Sequence, residues 1–140
     1  MAQPFTVLIV DDDDLVRGTL VGIVEAKGFR VLAANSAVEA TRIIAQEHVD
    51  VLFTDIVIPD QTGIELAREA KRLRPNIQVM FTTGYYSRAK AASELGPLLY
   101  KPMRAYEVEA ELDRFLRPRG GVRRSGGRAE RSRRVPASST

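Results

Sequence analysis

Seven side chains in this sequence have the types and positions for chemistry. Four carboxylates, Asp11-Asp12-Asp13-Asp14, follow directly on the run Thr6-Val7-Leu8-Ile9-Val10. Asp55 closes the stretch Val49 to Thr54, Thr83 closes Ile77 to Thr82, and Lys101 follows Leu98-Leu99-Tyr100. Adjacent carboxylates repel one another, which costs stability unless a cation sits among them. Oxygen-only ligands suit Mg²⁺, which takes one or two carboxylates and fills its other positions with water and phosphate oxygens. With a metal held by Asp12 and Asp55, one oxygen of Asp55 stays free as a nucleophile, and its attack on phosphorus would give an aspartyl phosphate. Lys101 and Mg²⁺ would neutralise charge on the transferred group. The sequence has no G-x-x-x-x-G-K-[ST] and no other glycine-rich phosphate loop, so a nucleotide is not expected.

These residues need elements that bring them together. Continuous apolarity over Thr6–Val10 predicts a strand buried on both faces, as in a parallel sheet. Leu15 to Lys27 predicts a helix with Leu15, Leu20, Ile23 and Val24 on one face, capped by Asp13 or Asp14 and stopped by Gly28. Phe29 to Ala34 reads as a second strand. Ser36-Ala37-Val38-Glu39 reads as a capping box opening a helix to about Glu47, and Val49 to Thr54 as a third strand. Thr62-Gly63-Ile64-Glu65 is a second capping box, opening a helix to about Leu73 that Pro75 ends. Ile77 to Thr82 is a fourth strand, Tyr86 to Leu95 a short helix and Leu98 to Tyr100 a brief fifth strand. Tyr106 to Leu116 is a last helix with Val108, Leu112, Phe115 and Leu116 as its stripe. Five alternations of strand and helix predict an α/β fold: a doubly wound parallel sheet with helices on both faces. In strand order 2-1-3-4-5, strands one and three meet at the switch point, so Asp11, Asp12 and Asp55 converge there with Thr83 and Lys101 beside them.

Charge divides the chain. From Arg117 to Thr140 eight arginines stand against Glu130, a balance of +7, which leaves −4 for residues 1–116 out of the total of +3. The expected division is a folded domain over residues 1–117 and a disordered Arg/Gly/Ser-rich tail over 118–140. The tail is too short and polar for a helix-turn-helix, so nucleic acid is not expected as a partner except through tail charge. There is no cysteine, hence no disulfide and no thiolate site. No apolar run reaches the length of a membrane span, and Phe5 to Val10 is too short for a signal peptide, so a cytoplasmic protein with no membrane insertion is expected.

Val10-Asp11-Asp12-Asp13, Phe53-Thr54-Asp55 with Pro59 and Gly63 after it, Phe81-Thr82-Thr83-Gly84, and Tyr100-Lys101-Pro102 resemble the receiver domain of two-component response regulators, in the right order and near-normal spacing from Met1 to about Leu116. The resemblance implies a flavodoxin-like (βα)5 fold, phosphorylated on Asp55 by a histidine kinase or phosphotransfer protein and read by a downstream protein partner. It implies Mg²⁺ bound directly by Asp12 and Asp55, through water by Asp11, and by the backbone carbonyl of Val57. Thr83 would hydrogen-bond the phosphoryl group, Lys101 would pair with it, and the Lys101–Pro102 bond would be cis. Thr82 competes with Thr83 for the switch hydroxyl, and the strand pattern favours Thr83. The chain departs from the family in having Leu98 where many members carry a switch aromatic, and in a short span from Thr83 to Lys101. Val57 and Tyr85 stand where the family tunes phosphoryl lifetime, and Tyr85 and Tyr86 are expected at a partner surface. Such a domain assists its own phosphorylation without being a turnover enzyme. Two rival readings are a degenerate receiver acting as an unphosphorylated binding module and an aspartyl-phosphate hydrolase of the haloacid-dehalogenase type.

Overall fold

The computed structural model describes residues 5–84 and 89–116. The expected tail at 118–140 and the expected partner residues Tyr85 and Tyr86 lie outside them. Five strands, β1 (Thr6–Val10), β2 (Arg30–Ala34), β3 (Val51–Asp55), β4 (Gln78–Thr83) and β5 (Leu98–Tyr100), form one parallel sheet in the order β2-β1-β3-β4-β5. The helices are α1 (Asp14–Ala26), α2 (Ala37–Gln46), α3 (Gly63–Leu73), α4 (Ala89–Ser93) and α5 (Ala105–Leu116). No described helix is long and apolar enough to cross a membrane.

The sheet separates two apolar layers, because alternate residues of a strand point to opposite faces. Val7, Ile9, Val51, Phe53 and Met80 meet Leu20 and Val24 of α1 and Val108 and Leu112 of α5. Leu8, Val10, Leu52, Val79 and Phe81 meet α2, α3 and Ala92 of α4. Every residue of β1 and β3 is buried, as a strand covered on both faces must be. The chain leaves β1 toward β2 across one face and returns from β2 to β3 across the other. The C-terminal ends of β1 and β3 therefore form the crevice at the reversal.

The local signals explain most boundaries. Asp13 caps α1, accepting from the Leu15 and Val16 N–H groups, and Gly28 turns the chain at φ 95°, a conformation that favours glycine. Thr62 and Glu65 form the full reciprocal capping box of α3. The box at α2 is only half made. Ser36 accepts from Glu39 N–H, but the Glu39 carboxylate takes the N–H of Asn35 instead of that of Ser36. Leu15 departs from expectation more clearly: it is 80% exposed, because the second residue of α1 stands at the rim of the crevice, before the helix reaches the sheet. Asp55 is the last residue of β3 and Thr83 of β4, each held in the ladder, Asp55 against Thr82 and Thr83 against Tyr100. Among the described residues the fourth helix covers Ala89–Ser93; the start expected at Tyr86 lies outside them.

Candidate functional site

The site is built from three strand ends. Asp11 continues β1, its N–H bonded to the Ala34 carbonyl at 3.2 Å. Asp55 ends β3, and the next N–H, of Ile56, donates to the Thr82 carbonyl at 3.0 Å. Lys101 follows β5, and its N–H donates to the Thr83 carbonyl at 2.8 Å. The Lys101–Pro102 peptide is cis. From that anchor the lysine reaches across the end of β4, and Nζ lies 2.6 Å from Asp55 Oδ2 and 3.0 Å from Asp11 Oδ2. Both carboxylates are buried, Asp11 at 1% and Asp55 at 7% exposure, whereas Asp12 is exposed at the mouth. Each of the three offers an oxygen within 4.8 Å of the others.

The run of four aspartates divides its labour. Asp13 is occupied by the helix N-terminus, and Asp14 pairs with Arg17 at 2.6 Å. The other arm of Arg17 donates to the Asp11 carbonyl at 2.9 Å, and Asp13 N–H donates to Asp11 Oδ1 at 2.9 Å. These bonds fix the turn so that Asp11 and Asp12 face the crevice. Across it, Asp55 Oδ1 accepts the Val57 N–H at 3.0 Å, and a bridge between Val57 and Thr62 narrows the loop from β3 to α3. Gly63 N–H closes this loop onto the Ile56 carbonyl at 2.7 Å, and a Cβ on Gly63 would stand 2.2 Å from the Asp55 carbonyl oxygen.

Burial pushes the Asp55 carboxyl above the ordinary carboxylate range, with the Asp11 charge adding to it. The Lys101 hydrogen bond, the Val57 N–H and the lysine charge offset this only in part. For Lys101, burial works against the charged form, but the hydrogen bonds and charges of Asp55 and Asp11 outweigh it and hold the ammonium above its ordinary range. Both shifts are upward, which disfavours the charged carboxylate and favours the charged ammonium of one ion pair. Their common cause is a single ammonium shared between two buried carboxylates: the lysine is over-supplied with partners and the carboxylates are under-supplied. Three carboxylates against one cation, all oxygen donors and close enough to share one ion, fit a small hard divalent cation and suit no soft metal.

Of the residues singled out in the sequence, Asp11, Asp12 and Asp55 lie together here with Lys101 on two of them, and Thr83 ends the neighbouring strand. Thr83 is fully buried at the end of β4. Thr82 is buried at 1% exposure and pairs in register with Asp55. The sequence reading passed over Arg17, whose i, i+3 spacing from Asp14 was the available signal. It also passed over Asp60. The Asp60 carboxylate accepts from the Ala37 and Val38 N–H groups at 2.9 Å each, tying the loop after Asp55 to the N-terminus of α2.

Comparison with known proteins agrees with this geometry. The response regulator receiver domain family matches residues 7–112. The chain is 32% identical over 114 residues to the response regulator receiver protein CpdR of Brucella abortus, covering 79% of this chain and 95% of that one. It spans only 9%, 24% and 32% of three longer curated relatives. A CheY-like receiver domain from Methanospirillum hungatei superposes with a TM-score of 0.76 at 29% identity, covering 81% of this chain and 94% of that one. A Burkholderia pseudomallei response regulator, solved with a phosphorylated aspartic acid, a calcium ion and citrate, superposes with a TM-score of 0.69 at 27% identity, covering 77% and 66%. A parallel sheet in the order 2-1-3-4-5, buried aspartates bridged by a lysine from the last strand, and a family match over residues 7–112 lead to one conclusion: the chain belongs to the response regulator receiver domain family, the phospho-acceptor switches of two-component signalling.

Proposed function

We propose that Asp55 is the phospho-acceptor of this switch. The observation that carries the reading is its placement: a carboxylate at the end of a central strand, held on one oxygen by the Val57 N–H and on the other by Lys101. A carboxylate oxygen of Asp55 attacks the phosphorus of a phosphohistidine on a histidine kinase or phosphotransfer protein. The P–N bond breaks with its electron pair passing to the imidazole, and an acyl phosphate forms. Lys101 follows the charge onto the phosphoryl oxygens, and the Thr83 hydroxyl donates to them from the end of β4. Asp11, Asp12, Asp55 and the Val57 carbonyl would hold Mg²⁺, with Asp11 acting through water. When bound, Mg²⁺ would neutralise charge on the transferred group and relieve the repulsion among the carboxylates.

A downstream protein reads the altered surface; the domain over residues 1–117 carries the switch, and the arginine-rich segment at 118–140 is dispensable for the chemistry. The domain assists its own phosphorylation and is not a turnover enzyme. The lysine poised on both buried aspartates favours this switch over an unphosphorylated binding module. The test is incubation with acetyl phosphate and Mg²⁺ followed by intact-mass measurement. The wild type gains the mass of one phosphoryl group and Asp55→Asn gains none; undiminished gain in that variant refutes the assignment.

A further inference from the structure

Among the described residues, the Thr82 hydroxyl is a fully buried side-chain polar atom with no hydrogen-bond partner. Its surroundings follow from the register. Ile9, Phe53 and Met80 lie side by side on β1, β3 and β4, in the core layer beneath α1 and α5. Two residues further along each strand, on the same face, come Asp11, Asp55 and Thr82. The row of three apolar side chains thus continues as two carboxylates and a hydroxyl, and Lys101 lies across it with Nζ on both carboxylates. Thr83 alternates to the other face, in line with Phe81.

A buried hydroxyl without a partner destabilises a protein, and valine has the same shape without that cost. Thr82 sits in register beside Asp55, whose bond to Lys101 changes in the reaction. While Lys101 Nζ stands 2.6 Å from Asp55 Oδ2, that oxygen has its donor. When Lys101 turns to a phosphoryl group, the oxygen loses it. We propose that Thr82 is the reserve donor: its hydroxyl takes over the Asp55 carboxyl oxygen that Lys101 leaves, and so stabilises the phosphorylated state against the resting one. The proposal rests on Asp55 being the acceptor. It assigns Thr82 a partner separate from that of Thr83, the acceptor side chain rather than the phosphoryl group.

The test uses beryllofluoride with Mg²⁺, which mimics the phosphoryl group on an aspartate, in isothermal titrations of the full chain. Thr82→Val is expected to bind it about fivefold more weakly, the equivalent of one lost hydrogen bond. Thr82→Ser, which keeps the hydroxyl, should bind close to wild type. Without beryllofluoride, Thr82→Val should melt above the wild type, since the unpartnered hydroxyl is gone. Equal binding by Thr82→Val and wild type overturns the proposal. So does a Thr82→Val melting point at or below the wild type, which would mean the hydroxyl already has a partner at rest. Binding by Thr82→Ser as weak as by Thr82→Val also overturns it. Asp55→Asn is the separate check on the underlying reading: binding that survives in this variant refutes the acceptor assignment itself.

Discussion

Asp55, at the end of β3, and Asp60, five residues on in the loop that follows, are perturbed in opposite directions. Asp55 ends a buried strand, shares its cation with Asp11, and is pushed above the ordinary carboxylate range chiefly by burial. Asp60 is exposed and is held below that range, chiefly by the Ala37 and Val38 N–H groups at the start of α2. The first carboxylate is strained by its surroundings and available for chemistry. The second is satisfied by a helix terminus and serves as a tether. Residue type does not separate the two roles; desolvation against backbone donation does.

The largest expected effect is at the closure between them. Gly63→Ala places a Cβ against the Asp55 backbone carbonyl, where no flexible side chain can yield, and should cost about 3 kcal/mol in urea unfolding. Gly18, on the exposed face of α1 with nothing near its missing Cβ, is the control: Gly18→Ala should gain about 0.5–1 kcal/mol. A Gly63→Ala loss no larger than that gain would show that the loop shifts freely and that its closure does not hold Asp55.

Next comes Lys101→Met, which leaves Asp11 and Asp55 buried without their ammonium. Breaking a buried ion pair costs a few kcal/mol; with Lys101 one quarter exposed, about 2 kcal/mol at pH 7 is expected. Much of it should return on lowering the pH. The folded-state pKa of Asp55 already lies above its unfolded value, so its ionised form destabilises at neutral pH, and that cost disappears as pH falls through the folded-state pKa. Stability of Lys101→Met relative to wild type that is flat with pH would contradict the crowding of charge at the site. Millimolar Mg²⁺ should also raise the melting temperature of the wild type, and the gain should shrink in Asp12→Ala. A melting temperature indifferent to Mg²⁺ would argue against a metal at this edge.

The smaller effect belongs to Asp60. Asp60→Ala removes the acceptor for two helix N–H groups and should cost about 1 kcal/mol at neutral pH. Here the sign is reversed. The folded-state pKa lies below the unfolded one, so the contribution is complete above about pH 4 and is lost as pH falls through the folded value. Wild type and Asp60→Ala should therefore converge in acid, while phosphorylation at Asp55 persists in the variant. A cost that stays constant into acid would show that the tether does not depend on the carboxylate charge.

The Asp55 side of the comparison was legible in the sequence and the Asp60 side was not. Continuous apolarity before Asp11, the stretch before Asp55, and Lys101-Pro102 after the last strand sufficed to place three strand ends together, because a parallel alternation leaves few topologies. Asp60 reads as a turn residue beside Pro59; its partners on α2 are more than twenty residues away, and no local pattern announces a cap donated from another loop. The half-made box lies at the same helix start: Asp60 serves Ala37 and Val38 there, and Glu39 takes the Asn35 N–H. Leu15 was placed on the apolar face by spacing alone, which cannot show that a helix's first turn overhangs the sheet edge. Thr82 and Thr83 could be ranked by pattern, but only the register shows that Thr82 shares a face with Asp55.

The central claim is that the strained carboxylate, and no other in this acidic cluster, takes the phosphoryl group. Borohydride reduces an acyl phosphate to a primary alcohol, so phosphorylation with acetyl phosphate and Mg²⁺, reduction and peptide mass spectrometry mark the acceptor position. Conversion of Asp55 alone to homoserine is the predicted result. Conversion at Asp11, Asp12 or Asp60, or none at Asp55 in protein that has gained a phosphoryl group, would contradict it.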